Sequence, residues 1–105
     1  MRSRFSAYAL GLADYIIETT FPAGPCWESD RTSWRASIED YCKSNRFEAL
    51  SILEAPATND GAAAVGEVLF TAEIVGSQGC DRSFTERSQF FRVNGRWLYH
   101  SGKAR

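Results

Sequence analysis

The sequence predicts an α+β domain in which N-terminal helices pack on one face of a curved, four-stranded antiparallel sheet, and three observations predict it. The first third of the chain repeats apolar residues at helical spacing, and from Phe47 onward the period falls to two. Two runs rich in aromatic and β-branched residues then flank Asn94-Gly95. That dipeptide suits a two-residue hairpin because both central positions of a type I′ turn need positive φ. Helices followed by strands make a layered fold, each layer burying its apolar face on the other. At 105 residues and 44% hydrophobic, the chain has the size of a single domain with one core, residues 1–105.

In the first helical segment, Phe5, Tyr8, Leu12, Tyr15 and Ile16 form one apolar stripe, which Gly11 interrupts. A mid-helix glycine costs about 1 kcal/mol relative to alanine, so a break is expected there, with Asp14 capping a short second segment that ends near Phe21-Pro22. After the Ala23-Gly24-Pro25 loop, Ser29, Asp30 or Thr32 caps a further helix whose Trp34, Ile38 and Tyr41 share a face. Strict alternation then sets Phe47, Ala49, Ser51 and Leu53 against Glu48, Leu50, Ile52 and Glu54, until Pro56 stops the strand and Asn59-Asp60-Gly61 turns it. Val65 to Val75 is a longer strand with Val68, Phe70, Ala72 and Ile74 on one face. Gly76-Ser77-Gln78-Gly79 turns into the final hairpin, Ser83 to Val93 and Arg96 to Ser101.

Charge and cysteine content exclude several function classes. Twelve Lys and Arg against thirteen Asp and Glu leave a net charge of -1, which offers no general attraction to nucleic acid or to an acidic membrane. No apolar run approaches the roughly 20 residues of a membrane-spanning helix. Cys26, Cys42 and Cys80 are far apart with no C-x-x-C pair and no signal-peptide core, a pattern that suits reduced thiols and a cytoplasmic location.

Arg2-Ser3-Arg4-Phe5-Ser6-Ala7-Tyr8-Ala9-Leu10-Gly11, followed by Asp14-Tyr15-Ile16 and Thr19-Thr20, resembles the middle domain of the YchJ family of bacterial SEC-C-motif proteins. Glu86-Arg87-Ser88, Phe90, Arg92, Gly95-Arg96-Trp97, Tyr99 and Gly102 look like the closing strands of that family, and Gly66 to Ala72 fits between the two blocks. The resemblance implies a cone similar to nuclear transport factor 2, with helices closing over a curved sheet to leave a pocket. It implies no assigned activity. Members usually carry a cysteine-rich SEC-C segment before this domain and often another after it, expected to bind zinc. Cys26, Cys42 and Cys80 lack that close spacing, so neither zinc nor any other cofactor carries over. Met1-Arg2-Ser3-Arg4 looks like text internal to the family, which reads as a stand-alone version or an excised domain.

The chemistry-bearing residues converge on the hairpin. Glu86, Ser88, Phe90 and Arg92 share a face, with Trp97 and Tyr99 beside them on the next strand. With Phe90 and Trp97 facing the core, Glu86 and Ser88 point under the helices, and an inward carboxylate needs a cation, which Arg2 or Arg4 supplies. Two readings stay open: a structural ion pair tying helix to sheet, or a general base at Glu86 with Arg4 as substrate anchor. Arg4, Glu86, Ser88, Trp97 and Tyr99 are the candidate ligand-binding set.

Asp14 with Tyr8 is a second acid–base pair, of the kind isomerases and dehydratases on this scaffold use. Against it stands a cap role for Asp14 and a core role for Tyr8. His100 is the single histidine, so no multi-His metal site is available; near a strand end it is exposed or a lone acid–base group. Trp27 and Trp34 are core or a pocket lid, Cys42 is packed and Cys80 exposed. Arg82, Arg87, Arg92, Arg96, Lys103 and Arg105 make the C-terminal third basic, a solvated face.

These residues point first to a non-enzymatic module for a small ligand or a protein partner, and second to a small acid–base enzyme. Leu50, Ile52, Leu69 and Phe91 are expected to form an apolar patch on the open sheet face, suited to a homodimer.

Overall fold

The computed structural model describes residues 1–55 and 65–104; Pro56, the Asn59-Asp60-Gly61 turn and Arg105 lie outside the described residues. Three helices precede four strands. Helix α1 (Arg2–Leu10) stops at Gly11, whose φ of 72° lies in the left-handed region that glycine enters without penalty. Gly11 N–H donates to the Tyr8 carbonyl (3.2 Å) and Leu12 N–H to the Ala7 carbonyl (2.8 Å), the paired bonds of a Schellman stop. The break expected at Gly11 is therefore a full change of direction.

Helix α2 (Ala13–Glu18) begins from Leu12, so Asp14 lies inside the first turn and is not its cap. Its carboxylate instead meets Arg35 at 3.1 Å, in a pair whose side chains are both more than half exposed. Of the three candidate caps of α3 (Arg31–Ser44), Asp30 serves, accepting from Ser33 N–H at 3.1 Å and from the Ser33 hydroxyl at 3.0 Å. Trp34 and Ile38 of α3 are buried with Ala7, Ala13, Ile16 and Ile17, and Trp27 meets Trp34 edge-on at 5.2 Å. The two tryptophans are thus part of the interhelical core and not a lid.

Strands β1 (Asn45–Glu54), β2 (Val65–Gly76), β3 (Phe84–Val93) and β4 (Arg96–Ala104) pair antiparallel in sequence order. Asn94 (φ 51°) and Gly95 (φ 79°) make the expected turn. Two irregularities decide what the inner face carries. In β1 the register slips between Phe47 and Ala49, so Phe47, Leu50 and Ile52 oppose Ile74, Ala72 and Phe70. A side-chain period of two is inverted by one inserted residue, and strict alternation mis-assigns everything beyond it. Leu50 and Ile52 accordingly pack inward on the Phe70 cluster, while Leu53 is exposed.

In β4, Gln89 pairs with Ser101 but Phe90 with Tyr99, which leaves His100 as the extra residue. This second slip lets Tyr99 and Gly102, three apart in sequence, share the inner face. The free edge of β4 is covered where the chain leaves α2: Tyr99 N–H donates to the Thr19 carbonyl (2.7 Å) and Phe21 N–H to the Tyr99 carbonyl (2.8 Å).

The apolar patch expected on the open face does not form, because Leu50 and Ile52 turn inward and Leu69 is buried. Arg87 crosses that face to Glu54 (2.8 Å) and Glu67 (3.7 Å), Thr71 and Thr85 share a hydrogen bond, and Phe91 stacks on His100. No described helix is long and apolar enough to cross a membrane.

Candidate functional site

Between α1 and the inner face of the sheet lies a cavity of about 230 Å³. Phe5 and Tyr8 of α1, Tyr41 of α3, Phe47 of β1, Phe70 and Ile74 of β2 and Phe84 of β3 form its apolar walls. They are there because α1 places Phe5 and Tyr8 on one side, one helical turn apart, while each strand sends alternate residues inward. Tyr8, Tyr41 and Phe47 contact one another with ring centroids 5.7–5.8 Å apart, and Phe70 meets Phe84 edge-on at 5.8 Å.

Arg4, Glu86 and Tyr99 bring polar groups to the lining, beside the phenols of Tyr8 and Tyr41 and the chain's amino terminus. Ser88, fully buried beneath, donates its hydroxyl to Glu86 Oε2, and Tyr99 donates to the same oxygen at 3.1 Å. The second oxygen, Oε1, accepts no hydrogen bond from the described residues. Burial, and then the negative charge of Glu86, push the Tyr99 phenol well above its ordinary value, so it stays protonated and remains a donor. Burial also raises the Tyr8 phenol.

The ion pair expected between Glu86 and Arg4 or Arg2 is not made. Arg2 is exposed. Arg4 is only 6% exposed and turns its Nη1 toward the end of α2, donating to the Ile16 carbonyl (3.1 Å), Thr19 Oγ1 (2.7 Å) and Thr20 Oγ1 (3.4 Å). These are acceptors at a helix C-terminus, where backbone carbonyls lack intrahelical partners and a cation is favoured. The Arg4 guanidinium also lies over the Tyr99 ring, 4.7 Å from its centroid. Helix and sheet are therefore locked together through Tyr99, which takes the cation on its face and donates a hydrogen bond to Glu86. Burial lowers the Arg4 guanidinium below its usual value.

Of the candidate ligand-binding set, Arg4, Glu86, Ser88 and Tyr99 come together and Trp97 does not. Trp97 pairs with Arg92 near the hairpin tip, 42% exposed, with the Arg92 guanidinium 5.8 Å from its ring centroid. It shares the Phe90 face, but two residues past Tyr99 it is outside the cavity. Tyr8 lines the cavity and Asp14 does not, so that pair is not assembled. His100 is half-buried outside the cavity, stacked on Phe91 at 4.2 Å with Nδ1 2.8 Å from Ser101 Oγ. Cys42 packs against the helical core; Cys26 and Cys80 are exposed free thiols. Among the described residues, no three His, Cys, Asp or Glu side chains are grouped to hold a metal ion.

Sequence reasoning missed Thr19, Thr20 and Gly102 as members of the site. A Cβ on Gly102 would overlap the Glu86 carboxylate and lie 2.7 Å from the Tyr99 hydroxyl, so this glycine is needed for space. Gly102→Ala is expected to displace Glu86 and strand the Ser88 and Tyr99 hydroxyls, at about 1–3 kcal/mol for a buried polar group left unpaired. Thermal denaturation reads the loss; an unchanged Tm would mean that Glu86 finds another position at no cost.

The model of the family described as "YchJ, middle NTF2-like domain" matches residues 1–102. A UPF0225 protein from Serratia proteamaculans is 36% identical over 103 residues, which is 97% of this chain and 62% of that protein. Another from Deinococcus radiodurans is 34% identical over 94% of this chain and 62% of its own length. The chain thus spans about three-fifths of the curated relatives it matches. Among solved structures, a SEC-C motif containing protein from Rhodopseudomonas palustris superposes with a TM-score of 0.79 at 33% identity, over 100% of this chain and 75% of that one. A second, from Psychrobacter arcticus, gives 0.71 at 22% identity, over 96% of this chain and 56% of that one, and bears on the fold alone.

Proposed function

Because the chain belongs to the family of YchJ middle NTF2-like domains, we propose that it acts as a non-enzymatic binding module whose cone pocket holds a small ligand. One observation carries this reading: Glu86 brings a carboxylate into an apolar cavity and leaves Oε1 without a partner among the described residues. Pockets that bind small molecules combine apolar walls with a few convergent polar groups. At about 230 Å³ the cavity is below the roughly 300–1,000 Å³ of sites for drug-sized ligands, so its occupant is small.

The test is a fragment titration followed by amide chemical shifts on labelled protein. Perturbations concentrated at Phe70, Ala72, Phe84, Glu86 and Tyr99 support the reading. No perturbation at millimolar fragment, or perturbations confined to the open sheet face, would count against it.

An acid–base role in the same pocket is the second reading, favoured by the same unpaired oxygen. In it Glu86 accepts the proton and Tyr8, kept protonated by burial, donates one. Asp14 takes no part, being held by Arg35 away from the cavity. Deuterium from solvent entering a bound probe at an acidic C–H would favour this reading over binding alone.

A further inference from the structure

We infer that the ligand of this pocket is a small organic amine bound as its ammonium ion, its head on Glu86 Oε1 and its body against the aromatic walls. The inference rests on the binding reading above and specifies what is bound. Two features of the cavity point the same way. Its acceptor is a carboxylate: the Ser88 and Tyr99 hydroxyls both donate to Oε2, and Oε1, which accepts no hydrogen bond from the described residues, is open to a donor on a ligand.

Its walls are aromatic. Tyr8, Tyr41 and Phe47 form a three-ring cluster, and Phe70 with Phe84 lies on the sheet floor. Ring faces are negative at their centres and attract ammonium groups, and a carboxylate set among aromatic rings discriminates for a cation over a neutral isostere. Among the described residues the lining also carries the Arg4 guanidinium and the chain's own amino terminus, and Arg4 turns its Nη1 away from Glu86. Its Nη1 serves three acceptors at the end of α2 and its guanidinium lies over the Tyr99 ring. The cavity volume limits the body to about one ring with a short chain.

The test uses three probes of the same shape and different head: phenethylamine, 2-phenylethanol and phenylacetate, titrated into labelled protein. Phenethylamine is expected to bind about tenfold more tightly than 2-phenylethanol, the difference that one charge-assisted contact supplies, and phenylacetate not to bind. Glu86→Gln should remove that preference, bringing the amine down to the affinity of the alcohol. Should Glu86→Gln fail to fold, Tyr41→Leu is the second variant: its ring is 38% exposed at the cavity edge, so truncation is tolerated. It is expected to weaken the amine more than the alcohol, because both probes lose wall contact and only the ammonium also loses the attraction of a ring face. Equal affinities for amine and alcohol, or tighter binding of phenylacetate, would overturn the ammonium assignment while leaving the pocket as a binding site. If none of the three probes perturbs the lining amides, both the assignment and the binding reading fail.

Discussion

Arg4→Ala is expected to lower the melting temperature by more than about 12 °C. Arg4 is 6% exposed and donates to the Ile16 carbonyl and to Thr19 Oγ1 at 3.1 and 2.7 Å. Hydrogen bonds from a charged donor contribute about 1.5–3 kcal/mol each, so removing two of them costs about 3–6 kcal/mol. At about 4 °C or more per kcal/mol for a domain of this size, the shift exceeds what a surface substitution produces. The cation also tethers three elements at once, because its guanidinium covers the Tyr99 ring while α1 carries it and α2 accepts its bonds.

Two companion variants separate charge from packing. Arg4→Met keeps the apolar stem and removes the buried charge, and apolar replacements of similar volume recover much of such a loss. It should melt between Arg4→Ala and the parent. Arg4→Lys keeps the charge but loses the planar group that stacks on Tyr99 while bonding α2. An Arg4→Ala protein that melts within about 4 °C of the parent, less than 1 kcal/mol, would refute the proposed tether.

Phe70→Ala should cost a further large amount, about 3–5 kcal/mol, as truncations of buried phenylalanine do. Phe70 is 1% exposed at the centre of β2, in the cluster with Ala72 and Ile74, and its ring meets Phe84 at 5.8 Å. Urea denaturation reads the effect as a lower midpoint with an unchanged slope. Phe70→Leu retains most of the burial and should lose much less. Because Phe70 also lines the pocket, the alanine variant enlarges it. A stability loss below about 1 kcal/mol would mean that the surrounding rings collapse into the vacated space.

The inward placement of Glu86 and Ser88 was legible from the alternation of β3, where no register slip intervenes. Tyr99 was legible as their neighbour, but Trp97 was equally plausible, since both lie on that face of the hairpin. Only the distance of Trp97 from the helices, near the tip, excluded it. Leu50 and Ile52 were mis-assigned because the residue inserted in β1 leaves no mark in a period-two pattern. The cation under the helices was left open between Arg2 and Arg4; the structure buries Arg4 and exposes Arg2, and the partner expected for it, Glu86, was misread. Thr19 and Thr20 carry no charge, so opposite-sign pairing on paper led to Glu86, whereas the end of α2 offered acceptors closer to hand.

The sequence by itself determined what depends on near neighbours along the chain: the interruption at Gly11, a cap for α3 among Ser29, Asp30 and Thr32, the Asn94-Gly95 turn, the change of period at Phe47 and, from these, helices layered on a four-stranded sheet. Each follows from backbone sterics or local hydrogen bonding, which a few consecutive residues specify. Tertiary structure alone decided which face Leu50 and Ile52 occupy, that Tyr99 stands between Arg4 and Glu86, and that Gly102 makes room for the carboxylate. Those outcomes depend on register slips and on through-space reach between residues up to about a hundred positions apart, where one inserted residue reverses a face and the nearest acceptor, charged or not, takes the cation.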